Sequence, residues 1–598
     1  MNDPLTRAAI VAGTDKFGYH DYTPNYFKMF AHLKDAKIKV LEIGVGGYAD
    51  DDRGGQSLEV WRDFFPNADI TGIDIQKKTM DLGPRVEILQ GSQVDPDFLK
   101  ELVAKRGPFD IIIDDGSHRN EHIVASYQML FPTLNPGGIY VAEDVQTSFH
   151  PRFGGSLEMI APNTVGYFGD LLRDMGDDVA AMERYHNMIA IHKAQVGVTP
   201  DIFDSTRFEI FADTKPKVHC IGGKIADLPV IPAKLSTADW KTSGKPTVKK
   251  GTDLLVCTID GKRKFSKTTL EALFGSVKTG GIMVIRSTDP ARDFAPDSPL
   301  SAYAQHRFTL VDHIEMQVHF PKAPIDALAA QIYSVERVGD AILFYKSPNT
   351  FPSNFAYDPQ NAQASAALDH MEDVLEDATS EGGLVQYADI LTRHRSREDA
   401  RATLAKLADL GATSRQYYQM AGALAQRDKR LDDAVALYDV ALQKFPHDPQ
   451  FSCMLAAAYT GLRKDDMAET LLRDALKVYP RARALVAALS RLLVRTQQWD
   501  EARSMVETTI TLFPQQMRPA RLLMLAQIAR HQGDLGVAET ALETAYAVAP
   551  DDAMICQEYS KLMCDKDETA QAVDFAAMAL SLAPENPRIQ AHHATLAS

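Results

Sequence analysis

The chain has 598 residues, 45% of them hydrophobic and 24% charged, with a formal net charge of -16, and that length suggests roughly three to five domains. The acid excess excludes broad non-specific binding to nucleic acid or to an anionic membrane, both of which need a basic surface, although it leaves room for a local basic patch. There is no long apolar run and no leader-like N-terminus, and the five cysteines (Cys220, Cys257, Cys453, Cys556, Cys564) have neither zinc nor disulfide spacing, so a cytoplasmic protein with no integral membrane segment and with buried thiols is expected.

In chain order, GTDKFGYHDYTPNYFKMFAHL mixes aromatic and polar residues and reads either as a lid over a site or as a helix on a sheet edge. The strand KVLEIGV then runs into Gly44, Gly46 and Gly47. An amphipathic helix covers Ser57 to Phe65, and a second strand, DITGIDI, ends at Asp74. This is the order of a Rossmann-type nucleotide site, in which glycines let the backbone approach the ligand and the acid accepts from ribose hydroxyls. The inserted YADDDRGGQ lengthens the usual spacing. The turn lacks a P-loop lysine, so phosphate cradling is not supported, and Glu42 suits a cation or a ribose better than a pyrophosphate. RVEILQGSQVD supplies a third strand with Ser92, Gln93 and Asp95 at its end, where a base could be read by polar contacts.

The stretch FDIIIDDGSHRNEHIVASYQMLFPTLNPGGIYVAEDV contains a fourth and a fifth strand, each ending in acids. Short apolar runs bounded by turn residues are strands buried on both faces of a parallel sheet, and ligands gather outside the carboxyl ends of such strands. Asp115, Glu143 and Asp144 therefore converge. Their repulsion calls for a cation or raised pKa values, and an all-oxygen set suits Mg2+. His118 stands beside them as a base. The alternative is that these are turn and helix-capping residues. His122 would face solvent or a substrate rim, and His20 and Tyr22 would line the site.

Several of these pieces recur together: GTDKFGYHDYT, LEIGVGGY, GGQSLEVWRDFFPNADITGIDI, QGSQVD, IIIDDGSH, PGGIYVAEDVQTS and RYHNMIAIHK, spanning residues 11 to 193. In this region the chain resembles the class I S-adenosylmethionine-dependent methyltransferases, and within them the Mg2+-dependent macrolide sugar O-methyltransferases of the mycinamicin type. The resemblance implies S-adenosylmethionine and Mg2+ as cofactors. It implies metal ligands at Asp115, Glu143 and Asp144 and a catalytic base at His118. Cofactor contacts would fall on Glu42, Gly44, Gly46, Gly47, Asp74, Ser92, Gln93 and Asp114.

From about residue 196 the chain repeats this pattern in worn form: KVHCIGG echoes KVLEIGVGG, LLVCTIDGKRK echoes DIIIDDGSHRN, VKTGGIMVIRSTDP echoes LNPGGIYVAEDVQT, and RVGDAILFYK echoes RYHNMIAIHK. Asp260 falls under Asp115, but Arg263 replaces His118, and Arg286 and Ser287 replace Glu143 and Asp144. Only 30 residues separate Gly223 from Asp253, against 63 between Gly47 and Asp110, so the copy lacks room for the cofactor half. A degenerate, catalytically silent α/β domain with an interface or substrate-positioning role is expected.

PSNFAYDPQNAQ reads as a linker. Beyond it prolines recur at Pro446, Pro480, Pro514, Pro550 and Pro584, at intervals of 34, 34, 36 and 34. Alanines stand twelve residues before each proline, and small residues (Ala441, Ala475, Thr509, Ala545, Ala579) stand five before. This is the tetratricopeptide pattern, in which small residues let paired helices cross closely and the proline ends the second helix. Five repeats are clear, and a weaker helix pair from Leu384 to Gly411 is expected to cap them.

The expected architecture is thus an α/β Rossmann-like methyltransferase domain (1–195), a smaller degenerate α/β domain (196–355), a linker (356–380) and an all-α tetratricopeptide solenoid (381–598). The function expected is O-methylation of a hydroxyl, on a sugar of a glycan or glycosylated small molecule. The solenoid groove would take a protein partner or build a homo-oligomer, and no nucleic acid is expected. Two alternatives are an interaction scaffold whose methyltransferase-like domain does not react, and an enzyme acting on a protein or lipid delivered by the solenoid.

Overall fold

The computed structural model describes residues 1–598 apart from 1–2, 48–50, 161, 199, 201, 203–207, 209–210, 212–214, 223–233, 239–249, 261–265, 314–323, 325, 327, 347–361, 377–378, 395–396 and 598. Gly223, Arg263 and most of the linker stretch PSNFAYDPQNAQ lie outside the described residues. Two compact units result, residues 1–410 and 411–598.

The first unit opens with helix α1 (Pro4–Ala12), whose N-terminus is capped by Asp3, and α2 (Thr23–Phe30). Then follow β1 (Lys39–Ile43), α3 (Gln56–Phe64), β2 (Asp69–Asp74), β3 (Val86–Gln90), α4 (Pro96–Arg106), β4 (Ile111–Asp114), α5 (Asn120–Leu130), β5 (Ile139–Glu143), α6 (Thr164–Arg173) and the hairpin of β6 (Val179–Tyr185) and β7 (Met188–Lys193). The first five strands are parallel in the order β3-β2-β1-β4-β5, and β7 and β6 continue the sheet antiparallel. Buried Val40, Leu41, Ile43, Ile111, Ile112, Ile113, Tyr140 and Val141 account for the short apolar runs: with helices on both faces, a central parallel strand has no solvent side.

The worn copy is the continuation of the same sheet. Its strands are β8 (Lys217–Ile221), β9 (Lys234–Ala238), β10 (Thr252–Ile259), β11 (Val277–Ser287), β12 (Ile332–Val338) and β13 (Ala341–Lys346). They run in the order β12-β13-β11-β10-β8-β9, joined to the first half by the antiparallel pair β6–β12. That order mirrors β6-β7-β5-β4-β1-β2. The copy keeps a partner to its first strand and, among the described residues, has no counterpart of β3. One apolar core runs through both halves, from Leu41 and Ile112 to Ile285 and Phe344.

Three helices complete this unit, Ala362–Leu375, Glu381–His394 and Arg397–Asp409. The first falls within the stretch expected to be a linker. The second meets the end of α1 so closely that a Cβ on Gly13 would stand 2.3 Å from the carbonyl oxygen of Gly382, which explains glycine at both positions.

The second unit is a series of helical hairpins: Arg415–Arg427 with Leu431–Lys444, Pro449–Gly461 with Asp465–Val478, Arg483–Arg495 with Trp499–Thr509, Arg518–His531 with Leu535–Val548, and Ala553–Asp565 with Thr569–Leu582, followed by Pro587–Ala597. Ala434, Ala468, Ala502, Ala538 and Ala572 are all fully buried, as close helix crossing requires. Within each hairpin the chain reverses through a left-handed residue, Lys429, Arg463, Gln497, Gly533 and Asp567 in turn. These repeat with the same intervals as the prolines. No helix among the described residues is long and apolar enough to cross a membrane.

Candidate active site

The parallel strands aim their carboxyl ends at one cavity of about 540 Å3, lined by the glycine turn after β1, by Asp74 after β2, by Asp115 and His118 after β4, and by Asp144 after β5. Gly13, Thr14, Asp15 and Tyr19 close it from the N-terminal segment, so the stretch read as lid or edge helix contributes wall. Gly44 (φ 93°) donates its N–H to the Ile73 carbonyl at 2.8 Å, and a Cβ there would lie 2.1 Å from the Asp115 carbonyl oxygen. Asp74 accepts from the N–H groups of Val45 (3.0 Å) and Gln76 (2.8 Å), so it fixes the turn, and it lines the cavity with acceptor capacity to spare.

Asp115, His118 and Asp144 bring ligand atoms within 4.8 Å of one another, a group able to hold a metal ion. His118 and Asp144 both adopt left-handed backbone, at φ 55° and 53°. Such conformations persist only where the surroundings enforce them, and they collect at functional sites. His118 Nε2 stands 3.7 Å from Asp144 Oδ2, while its buried Nδ1 has no hydrogen-bond partner. Asp144 Oδ1 accepts from the Tyr22 hydroxyl (2.7 Å) and Asn187 Nδ2 (3.1 Å), with His20 Nε2 at 3.7 Å. Burial pushes the Asp144 carboxyl up, but His20, His118 and the Tyr22 hydrogen bond outweigh it and hold the group at about 2.

Glu143 is placed differently. It is buried at the end of β5, where both oxygens accept from Lys16 Nζ at 2.8 and 2.7 Å and one also accepts from the Tyr26 hydroxyl. The same ammonium donates to Asp115 at 3.0 Å and lies 3.4 Å from Glu42. Lys16 is the residue of this cluster that sequence reasoning missed: a lone lysine in an aromatic, polar segment carries no periodic signal. The demand for a cation among converging acids was legible, but its source was not. Burial pushes the Lys16 ammonium down, yet Asp115, Glu143 and Glu42 together raise it well above its ordinary value. Burial raises the carboxyls of Asp115 and Glu143, with Lys16 opposing.

The remaining residues implied by resemblance lie beneath or beside the cavity. Glu42 is fully buried, bonded by Ser57 Oγ (2.9 Å) and Trp61 Nε1 (3.0 Å), and the cation it faces is Lys16. Gln93 donates to Asp114 (2.9 Å) and accepts from the Ser117 N–H (2.8 Å), which braces the loop carrying His118. Asp114, buried, also accepts from Ser126 (2.5 Å) and Tyr140 (2.7 Å). The Ser92 hydroxyl accepts from Val94 N–H at 3.3 Å, and Asp95 caps α4. His122 Nδ1 meets Ser117 Oγ at 2.8 Å. In the second half Arg286 pairs with Asp340 (2.9 Å) and Ser287 donates to Asp293 (2.7 Å). Among the described residues, only Asp115, His118 and Asp144 form a metal-sized cluster.

No family model matches the chain. In sequence it is 44% identical over 168 residues to an 8-demethyl-8-alpha-L-rhamnosyl tetracenomycin-C 2'-O-methyltransferase of Streptomyces olivaceus, covering 28% of this chain and 44% of that one. It is 46% identical over 146 residues to a mycinamicin VI 2''-O-methyltransferase of Micromonospora griseorubida, covering 24% and 37%. The chain thus spans less than half the length of these two relatives. Among solved structures it matches the MycE methyltransferase of mycinamycin biosynthesis, in complex with Mg and SAH, at 37% identity over 33% of this chain and 58% of that one, with a TM-score of 0.31. The N-terminal part of the chain is thus similar in sequence to sugar O-methyltransferases of the mycinamicin and tetracenomycin type, and the same polypeptide carries helical hairpins with the tetratricopeptide spacing.

Proposed function

We propose that the first unit is an S-adenosylmethionine- and Mg2+-dependent O-methyltransferase that modifies a sugar hydroxyl of a glycan or glycosylated small molecule. The observation that carries this reading is the cluster of Asp115, His118 and Asp144 on the wall of a cavity whose floor is a glycine turn and whose side is Asp74. S-adenosylmethionine, when bound, supplies an electrophilic methyl group, and a divalent cation supplies acidification of a hydroxyl. Gly44, Gly46 and Gly47 keep the cavity floor free of side chains, and Asp74 offers acceptors to ribose hydroxyls.

His118 takes the proton from the acceptor hydroxyl. Asp144, held ionised at about 2, stabilises the imidazolium that results. Asp115 and Asp144 have the oxygen donors a hard cation prefers, and Glu143 would join them only on release from Lys16. Orientation of the acceptor against the methyl group is the remaining task of the cavity walls. The second α/β half and the solenoid are support and partner-binding regions in this reading, with the halves 1–195 and 196–355 inside the first unit and the hairpin repeats from residue 411 onward. A cytoplasmic location accords with five cysteines, none of them in a disulfide.

A second reading, in which the domain binds the methyl donor without reacting, draws on Lys16: its ammonium already neutralises Asp115 and Glu143. Calorimetry with S-adenosylmethionine, with and without Mg2+, separates the readings when joined to turnover assays on rhamnosylated acceptors. Binding of both groups, with turnover lost in Asp115→Ala and His118→Ala while donor binding stays, is the expected result. Full turnover in both variants, or no donor binding by the native chain, would refute the enzyme reading.

A further inference from the structure

The second half reaches the surroundings of the site through a buried carboxylate, Asp312. Asp312 lies two residues past the helix Pro299–Leu310 and is fully buried, with left-handed backbone at φ 64°. Its Oδ2 accepts from Arg184 Nη2 at 2.7 Å and from the Asn187 N–H at 2.6 Å, and its Oδ1 stands 2.5 Å from His186 Nδ1. Arg184, His186 and Asn187 close the β6–β7 hairpin of the first half, and Arg184 also donates to the carbonyls of Tyr185 (2.6 Å) and Val311 (3.1 Å). The turn is therefore built around a group from the other half of the sheet.

Asn187 passes this order onward. Its backbone is left-handed at φ 57°. Its Oδ1 accepts from the Gln146 N–H (2.9 Å), and its Nδ2 donates to Asp144 Oδ1 (3.1 Å) and to the Tyr22 hydroxyl (2.5 Å), which itself donates to Asp144. Asp144, Asn187 and Asp312 are three left-handed, non-glycine residues linked in series: the Asn187 carboxamide donates to Asp144, and the Asn187 backbone N–H donates to Asp312. A carboxylate offered to a cation keeps its direction only if the groups around it are themselves fixed.

We propose that Asp312 is a positioning residue for Asp144, supplied by the degenerate half, and that this is the use to which that half is put. The proposal rests on the reading of Asp115 and Asp144 as a cation site. It explains why a copy that lacks two of the three acids stays fused to the first half through β6–β12: the strand pair that joins the halves carries Arg184 on one side, and the helix Pro299–Leu310, which packs on β12, leads into Asp312.

Mn2+ binding to the full chain, followed by electron paramagnetic resonance with S-adenosylhomocysteine present, is the test. Asp312→Ala is expected to weaken Mn2+ at least about tenfold, with S-adenosylhomocysteine affinity within about twofold of native. Asp312→Asn keeps an acceptor for the Asn187 N–H and is expected to recover most of the loss. Should Asp312→Ala not fold, Asn187→Gly decides: glycine tolerates the left-handed turn, leaves Asp312 with Arg184, His186 and the backbone N–H of residue 187, and removes the carboxamide links to Asp144, Tyr22, His20 and Gln146. The same tenfold weakening supports the proposal. Native Mn2+ affinity in a folded Asp312→Ala or in Asn187→Gly overturns it. Absence of Mn2+ binding in the native chain overturns the cation-site reading itself, and this inference with it.

Discussion

Lys16 Nζ lies 2.7 Å from Glu143 Oε2, and both side chains are almost wholly shielded from solvent. A buried charge is tolerated only with partners, and removal of one partner leaves the other uncompensated. Lys16→Met is therefore expected to destabilise the first unit by about 3–5 kcal/mol, measured by denaturant unfolding. If Mg2+ takes the place of the ammonium among the acids, the loss should be partly recovered on its addition. A variant as stable as the native chain without Mg2+ would show that Lys16 is not the cation these acids depend on.

Glu42 tests the same cluster through pH. Burial pushes its carboxyl up to about 7, against the pull of Lys16. Between the ordinary carboxylate range and pH 7 the folded chain then holds a proton that the unfolded chain has lost, so this group's contribution to stability falls as pH rises through that window. Glu42→Gln keeps an acceptor for Ser57 and Trp61 and leaves Lys16 two carboxylates. It should flatten the slope between pH 5 and 7 and stabilise the chain at pH 8 by about 1–3 kcal/mol. Unfolding midpoints across pH 5–8 check this.

Asp312 acts in the opposite sense. Burial pushes it up, but His186 and Arg184 outweigh that and hold it at about 2. Its stabilising contribution is complete above the ordinary carboxylate pKa and is lost as pH falls from about 4 towards 2. In Asp312→Asn the acid unfolding profile should lose about 2 kcal/mol of its pH dependence in that window.

Gln386, on the helix Glu381–His394, donates to the carbonyls of Thr14 (2.9 Å) and Phe17 (3.0 Å), which flank Lys16 on both sides. Gln386→Ala should cost about 1–3 kcal/mol, because two buried carbonyls lose their donor. It should also weaken S-adenosylmethionine binding several-fold, since Gly13, Thr14, Asp15 and Tyr19 wall the cavity. Calorimetry reads the second effect, and unchanged donor affinity would detach this helix from the site.

In the second unit, a Cβ on Gly422 would stand 2.2 Å from Cε1 of the fully buried Tyr438. Gly422→Ala should cost about 1–3 kcal/mol by overpacking. Hydrogen exchange in the full chain should show lost protection in the helices Arg415–Arg427 and Leu431–Lys444, with the strands β1 to β5 unchanged.

Much of this molecule is determined by local pattern. The apolar runs of β1, β4 and β5, the glycines after β1, the acids at the strand ends and the proline interval of the hairpins are all legible in the sequence. Burial on two faces, left-handed turns and close helix crossings each impose a residue type at a short, regular spacing. The loop DDGSH places Asp115 and His118 together for the same reason.

What the tertiary structure alone decided are pairings between distant, aperiodic residues. Lys16 meets Asp115 and Glu143 across 99 and 127 positions, Asp312 meets Asn187 across 125, and Gln386 meets Thr14 across 372. An ion pair or hydrogen bond needs two groups within about 3 Å but sets no spacing along the chain. Hence Glu143, which by sequence looks equivalent to Asp115 and Asp144, is instead a buried acid that stands nearer the Lys16 ammonium than Asp115 or Glu42 does.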